Sequence, residues 1–194
     1  PIYDFSAFDF WLKPLGFLKL ATALKKLGNE IYFFDFLDCQ LAEKHSKSNL
    51  FGRGKFFSER TQKPSILSDV PRIFRRFGKP IKLFYDFLNK LDAKQKPDAV
   101  LISVGMTYWY FGITEIIEAI NSYFGKVPII IGGIYAALCS EHAEKYFSSE
   151  VLISGDLQPF NEYFNLNLNL DDLQDEIPDW SFEPNLRYGV IRLT

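Results

Sequence analysis

Residues 127–142, VPIIIGGIYAALCSEH, constrain the fold of this chain more than any other stretch. A proline precedes a short, unbroken run of β-branched residues, which is typical of a strand buried on both faces of a parallel sheet. Gly132 and Gly133 fall where that strand ends. Neither glycine carries a Cβ, so a ligand can approach the backbone closely there. Because ligands of open α/β sheets lie outside the carboxyl ends of strands, this stretch predicts the binding edge.

A glycine pair after a strand, taken alone, more often forms a turn than a ligand site. The neighbouring apolar runs are therefore needed to decide between the two interpretations. Upstream, the apolar run 98–104 leads into the sequence GMT at 105–107. Downstream, the run 150–153 leads into SGD at 154–156. Three successive strand-like runs therefore end in small or polar residues. This alternation of runs predicts a parallel sheet with right-handed crossovers, whose strand ends meet at one edge.

The order of the predicted elements indicates an α/β chain with a Rossmann-like or flavodoxin-like doubly wound parallel sheet. A loop over 1–14 comes first, and a helix follows over 14–28, with apolar residues at three-residue steps and Gly28 as its stop. The other predictions are strands over 30–38, 98–104, 127–131 and 150–153, short helices over 70–77 and 81–91, and helices over 113–124, 136–147 and 159–164.

Residues 39–96 are expected to form a basic helical insertion. From position 44 to 82 there are eleven lysines or arginines against two acids, Glu59 and Asp69. The sequence GRGK at 52–55 is typical of an exposed turn. Such a patch suits an anionic substrate, a nucleic acid or a partner domain, although most basic runs are solvated faces.

Composition excludes several classes of function. A formal net charge of −2 and a pI near 5.8 argue against general nucleic-acid binding. We expect a soluble, cytoplasmic protein without membrane contact, because there is no run of eighteen apolar residues and no signal peptide. Cys39 and Cys139 lack the spacing of a disulfide framework or a zinc site. No acid–base pair or activated nucleophile is evident, so this chain alone is expected to bind rather than to catalyse.

The two ends of the sequence predict the domain organisation. The first residue is Pro1 rather than Met, and 190–194 is typical of a strand that has been cut. We expect a fragment in which most of a first strand is missing upstream. Residues 1–164 are predicted to form the α/β domain, and the polar stretch 165–194 is predicted to be a linker and the first strand of a following domain.

Five long blocks of the sequence carry a family resemblance: the opening stretch 1–38, GRGKFFSE, VPRIFRRFG, MTYWYFGITEIIEAI and VPIIIGGIYAALCSEHAEKYF. They resemble the cobalamin-binding domains of radical SAM proteins. The closing motif IPDWSFEPNLRYGVIRLT resembles the segment that leads those proteins into their radical SAM barrel. The cysteine triad that holds the barrel's iron–sulfur cluster does not occur in this sequence.

The resemblance implies a cobalamin-binding module that serves a separate catalytic barrel. The [4Fe–4S] cluster and S-adenosylmethionine belong to that barrel, which would be the partner of this chain and would carry the radical chemistry of the parent enzyme. The corrinoid is expected over the carboxyl ends of the strands. The residues that match the family's cofactor loops are Tyr3, Asp4, Leu15, Gly16, Ser103, Gly105, Met106, Thr107, Gly132, Gly133, Ile134, Tyr135, Gly155 and Asp156.

Two departures from the family pattern affect the expected site. The histidine that ligates cobalt in methionine-synthase-type domains has no counterpart in 1–14, and His45 and His142 match no ligand position. The acidic loop reads GDLQ at 155–158, where relatives often have GEGE. A bound corrinoid would therefore have water, another side chain or nothing on its lower face, and loss of the cofactor from the fold stays open.

Three hypotheses remain at the level of sequence. The first is a cobalamin-binding module of a radical SAM enzyme. The second is a cofactor-free interaction domain of the same fold, in which Tyr108, Trp109, Tyr110 and the basic insertion pack on the barrel or another partner. The third is a domain for another nucleotide-like ligand, against which stands the absence of a GxGxxG motif and of a P-loop.

Overall fold

A computed structural model describes residues 2–7, 13–38, 56–91, 96–147, 151–152, 156–183 and 189–190. The chain divides into two compact units. Unit 1 comprises Pro1–Trp11, Phe34–Asp98 and Tyr108–Val127, and unit 2 comprises Leu12–Phe33, Ala99–Thr107 and Pro128–Thr194. The turn predicted at 52–55, Gly155 and the strand expected near the end of the chain lie outside the described residues.

Helices and strands both occur in each unit, which confirms the α/β class, while the doubly wound arrangement stays a prediction. None of the described helices is long and apolar enough to cross a membrane. In chain order the elements are β1 (Ile2–Asp4), α1 (Leu15–Lys26), β2 (Ser58–Arg60), β3 (Arg75–Phe77), α2 (Ile81–Leu88), β4 (Val100–Ser103), α3 (Phe111–Phe124), β5 (Ile129–Gly132), α4 (Ile134–Leu138), α5 (Ser140–Tyr146), β6 (Val151–Leu152), α6 (Gln158–Phe164) and α7 (Leu170–Asp175).

Unit 2 contains the predicted parallel sheet. Its strands lie in the order β4-β5-β6, and both pairings are parallel. Ile129, Ile130 and Ile131 of the central strand β5 are all buried, because both faces of this strand are covered. The run that the sequence marks as a buried strand is therefore confirmed.

The amphipathic helix predicted over 14–28 is confirmed as α1. Leu18 and Leu24 on its apolar face are buried, and Leu24 packs with Ile130 of β5 and Phe160 of α6. Partly buried apolar side chains complete this cluster: Leu20, Ile31, Ala99, Leu101, Phe164, Leu166 and Leu168.

The single helix predicted over 136–147 is two helices, α4 and α5. The backbone leaves the helical region at Cys139, whose φ of −132° and ψ of 40° interrupt the hydrogen-bond ladder. Ala143 N–H still donates to the Cys139 carbonyl at 2.9 Å, so the chain restarts a helix at once. Helix α4 also begins two residues earlier than predicted, directly after Gly133.

Residues 170–183, which we call the docked segment, lie along α1. Lys25 pairs with Asp179 at 2.7 Å and Lys26 with Glu176 at 2.7 Å. The hydrogen bond from Lys25, aided by those from Ser181, lowers the pKa of Asp179 to about 2. Both lysine side chains are more than half exposed, so these two ion pairs stabilise the contact only weakly.

Buried contacts anchor the docked segment more firmly. Lys13 Nζ lies 2.6 Å from Glu183 Oε2, and the two side chains are only 6% and 4% exposed. The hydroxyl of Thr22 accepts a hydrogen bond from Asp179 N–H at 2.7 Å and donates one to the Leu18 carbonyl at 2.7 Å. Thr22 is itself buried, so its hydroxyl joins α1 to the docked segment without competition from water.

Replacing Thr22 by valine tests this junction. Valine keeps the shape of threonine but leaves Asp179 N–H without its acceptor, which costs about 1–3 kcal/mol at a buried site. We expect the exchange of the Asp179 amide hydrogen to accelerate about tenfold or more, because local opening becomes easier. Thr22→Ser, which retains the hydroxyl, is the control and should keep most of the protection. Equal protection of Asp179 in the valine and serine variants would show that the hydroxyl does not hold the segment.

Unit 1 contains an antiparallel sheet in the order β1-β3-β2. Two predictions are wrong here: Ile2–Asp4 lies in a strand rather than in a loop, and 70–77 is not helical but ends in strand β3. Strand β3 is central and exchanges backbone hydrogen bonds with both neighbours. Pairing with distant segments therefore overrides the helical periodicity of 70–77.

The strand predicted over 30–38 is also wrong, since these residues join no sheet. The stretch passes from unit 2 to unit 1 after Phe33. Within unit 1, Phe34 packs against Phe84 and Phe87 of α2, with ring centroids 5.2 and 5.1 Å apart. Its apolar residues thus serve aromatic packing rather than a buried strand. The helix predicted over 81–91 is confirmed as α2.

Candidate functional site

The carboxyl ends of β4 and β5 lie side by side in unit 2. Ser103 and Gly132 are paired in register at the last position of the two strands. Beyond them, Val104 N–H donates to the Gly132 carbonyl at 3.0 Å, and Tyr135 N–H donates to the Val104 carbonyl at 3.2 Å. The sheet thus brings together two of the predicted cofactor loops. We call residues 103–107 and 132–135 the β4–β5 edge.

Gly133 is required by the protein's own backbone. Its φ of +90° lies in the region that favours glycine. A Cβ at this position would lie 2.7 Å from the carbonyl oxygen of Val104 and 2.9 Å from its nitrogen. The close approach that the glycine pair predicts is therefore made by Val104, which supports the turn interpretation of Gly133.

The β4–β5 edge exposes apolar side chains together with hydroxyl groups. Met106 is 40% exposed and Ile134 51% exposed. Ser103 and Thr107 are also exposed, and Gly105 is half-buried. One helical turn after Ile134, Leu138 of α4 is 72% exposed. Residues at i and i+4 share a helix face, so α4 carries the apolar surface onward.

Tyr135 does not contribute its ring to this exposed surface. It is among the largest fully buried side chains of the protein, with 1% exposure. Its hydroxyl lies 2.7 Å from Nδ1 of His142, and the His142 ring stacks on Tyr146 with a centroid distance of 5.4 Å. Tyr135 therefore fills the core beneath α4 and α5. His142, whose Nδ1 faces this hydroxyl, is a packing residue.

The other predicted residues of unit 2 lie on different elements. Leu15 and Gly16 form the first turn of α1, and Gly16 is exposed with nothing within 4 Å of the place where a Cβ would be. Asp156 is exposed, and its carboxylate accepts a hydrogen bond from Gln158 N–H at 3.0 Å. This bond stabilises the turn that leads into α6.

An open groove of about 490 Å³ runs past α6. The Asn161 side chain spans it from α6 by donating to the Leu168 carbonyl at 2.6 Å and accepting from Leu168 N–H at 3.0 Å. These two bonds hold the following chain against α6. It is lined by Asp156, Leu157, Gln158, Asn161, Glu162, Asn165, Leu166, Asn167, Leu168, Asn169 and Leu170.

Tyr3 and Asp4 belong to unit 1. The Tyr3 hydroxyl donates to Glu115 at 3.0 Å, and burial, followed by the negative charge of Glu115, raises the pKa of Tyr3 well above its usual range. The Asp4 carboxylate accepts from Phe5 N–H at 2.6 Å. Both side chains are used within unit 1.

Arg76 is the residue of this neighbourhood that the sequence does not single out. It is only 4% exposed, and its guanidinium donates to Glu115 at 2.7 Å and to the Lys79 carbonyl at 3.1 Å. It also pairs with Glu59 at 3.4 Å. In a strand, Arg75 and Arg76 project to opposite faces, so one of them can be buried. The sequence indicates this only if 75–77 is already known to be a strand.

The side chains of the β4–β5 edge fit a corrinoid in part. Met106 and Ile134 offer apolar contact to a macrocycle, and the Ser103 and Thr107 hydroxyls offer hydrogen bonds to amide groups at its rim. No histidine occurs in 98–141, so cobalt would have no imidazole from this edge. In the described part of the chain, no group of three His, Cys, Asp or Glu residues is placed to hold a metal ion.

Comparison of this chain with family models, curated proteins and solved structures found no match. The residues of the β4–β5 edge and the resemblance seen in the sequence are therefore the basis for assigning a function.

Proposed function

We propose that this chain is the cobalamin-binding module of a cytoplasmic B12-dependent radical SAM enzyme, with a Rossmann-like arrangement of its sheet. The observation that carries the proposal is the meeting of the 103–107 and 132–135 loops at the carboxyl ends of two parallel strands. Such strand ends are where open α/β sheets bind their ligands. Exposed Met106 and Ile134 supply the apolar contact that a corrin ring requires.

Each residue of the β4–β5 edge has a separate part in this proposal. Met106 and Ile134 contact the ring, and the Ser103 and Thr107 hydroxyls orient it through its amide side chains. Gly133 acts indirectly, because its turn holds the 132–135 loop against Val104. When bound, the corrinoid would supply a methyl group, or take part in related radical chemistry, in the active site of the barrel. The chain's own residues bind and orient the cofactor, and the barrel supplies the cluster and S-adenosylmethionine.

A charge placed at the β4–β5 edge tests which residues hold the corrinoid. Replacing Ile134 by glutamate removes apolar contact and adds a charge that a bound ring would desolvate, so we expect hydroxocobalamin affinity to fall about tenfold or more. Ile177→Glu is the matched control. Ile177 is an isoleucine of the docked segment with 79% exposure, and its replacement should leave affinity unchanged. An absorbance titration measures both, and equal affinities would place the corrinoid elsewhere.

A cofactor-free interaction domain is the second candidate. It is favoured by the contact of Val104 with Gly133, which explains the second glycine without a ligand. The exposed face of α4, with Ile134 and Leu138, would then contact the barrel directly. This candidate is tested by the same titration, because it requires that neither wild type nor Ile177→Glu binds hydroxocobalamin.

A further inference from the structure

Two arginines stand directly opposite each other in the antiparallel sheet of unit 1. Arg60 at the end of β2 is the register partner of Arg75 at the start of β3. Directly opposite residues project from the same face of a sheet, with Cβ atoms about 5 Å apart. Like charges at such positions repel each other, so this pair is unfavourable unless an anion lies between them.

No carboxylate of the described residues forms an ion pair with either arginine. Neither Arg60 nor Arg75 forms an ion pair there, although Arg75 donates to the Ser58 hydroxyl at 3.2 Å. Asp4 of β1 is the other register partner of Arg75 and projects from the same face, but its carboxylate accepts a hydrogen bond from Phe5 N–H at 2.6 Å and forms no ion pair with Arg75. The next residue, Arg76, shows the contrast, since it faces away and is bonded to Glu115 and Glu59.

The open end of this face is hydrophilic and accessible. Ile2 and Phe77, which lie on the same face two residues further along the register, are buried at 4% and 5% exposure. Arg60 is exposed and Arg75 half-buried, so their guanidinium groups reach solvent at the rim of the sheet. Arg75 is held by Ser58, and it therefore presents its remaining donors in a defined direction.

We propose that Arg60, Arg75 and the Ser58 hydroxyl form a binding site for a phosphate monoester group. A dianion with several oxygens accepts from two guanidinium forks at once and cancels their repulsion. A small local anion fits better than a nucleic acid, because the chain carries a net charge of −2 and Glu59 and Asp69 lie nearby in sequence. The site is separate from the β4–β5 edge and does not depend on the function proposed for it.

Thermal unfolding of the full chain in inorganic phosphate tests this site, with sodium chloride adjusted to constant ionic strength. We expect millimolar phosphate to raise the unfolding temperature by about 2–4 °C, because a ligand that binds only the folded state stabilises it. Arg60→Gln and Arg75→Gln should each abolish the shift. Arg72→Gln is the control: it removes one exposed cation of unit 1 that lies outside the pair, and it should keep the shift.

Two further results separate the possible outcomes. The Arg60→Gln and Arg75→Gln variants should retain the wild-type circular dichroism spectrum, since neither arginine is buried. A fluorescent single-stranded oligonucleotide should show no micromolar binding at physiological salt, and binding that needs the same arginines would replace the phosphate site by a nucleic-acid surface. The proposal is overturned if phosphate and chloride give equal unfolding temperatures, or if Arg72→Gln loses the shift as completely as Arg60→Gln.

Discussion

Gly133→Ala is expected to destabilise unit 2 by about 2–6 kcal/mol, because strain at positive φ and overpacking each cost about 1–3 kcal/mol. The alanine Cβ would lie 2.7 Å from the Val104 carbonyl oxygen, and backbone cannot move aside as a flexible side chain does. The turn would have to open, and Tyr135 N–H would lose its bond to Val104. Urea unfolding followed by circular dichroism measures the change.

Gly16→Ala is the matched control for this substitution. Gly16 lies in the first turn of α1, has no positive φ, and has open space where the Cβ would be. Alanine there should leave the free energy of unfolding unchanged or raise it by up to about 1 kcal/mol. A cost below about 1 kcal/mol at Gly133 would mean that the backbone contact with Val104 is looser than the structure shows.

Arg76→Met is the second substitution with a large expected effect. Methionine fills a similar volume but leaves the Glu115 carboxylate without its 2.7 Å partner and the Lys79 carbonyl without a donor. Breaking one side of a buried ion pair costs about 3 kcal/mol or more. Urea unfolding is again the measurement, and Glu115→Gln in the Arg76→Met background should recover part of the loss, since it removes the unpaired charge.

Arg75→Met is the control for Arg76→Met. The two arginines are adjacent in β3 but project to opposite faces, and Arg75 contacts only the Ser58 hydroxyl among the described polar groups. In buffer without phosphate its loss should change stability by no more than about 0.5 kcal/mol. Equal effects of the two substitutions would contradict the distinction between a buried, paired Arg76 and an accessible Arg75.

Local sequence patterns predicted the parallel strands and helix α1 of unit 2. The isoleucines of β5 form an unbroken apolar run because both faces of the strand are covered, and no other element type suits so short a run before two glycines. Helix α1 was equally clear from its three-residue spacing. The meeting of the Ser103 and Gly132 strand ends follows from the parallel alternation, so this part of the candidate site was predictable.

The antiparallel sheet of unit 1 was not predictable in the same way. Strand β3 has only three residues, two of them arginines, and its partners β1 and β2 are separated from it by 70 and 14 intervening residues. No local pattern in 70–77 predicts that these residues pair with strands so distant in the sequence. The helix break at Cys139 also leaves no signal in the sequence, since there is neither a proline nor a glycine at that position.

The role of Gly133 shows a different limit of sequence reasoning. A glycine after a buried strand indicates that something approaches the backbone, but the pattern does not say whether that is a ligand or the protein itself. Only the 2.7 Å distance to Val104 decides it. The exposed Met106 and Ile134 beside it, which a sequence cannot distinguish from core residues, carry the ligand hypothesis instead.

The measurement that tests the proposed function most directly is the visible spectrum of the protein after incubation with hydroxocobalamin and desalting. We expect a retained corrinoid band at equimolar ratio to the chain, with a position that indicates a cobalt ion without an imidazole ligand from the β4–β5 edge. A colourless protein with an unchanged circular dichroism spectrum would contradict cobalamin binding and would assign this edge to contact with a partner domain.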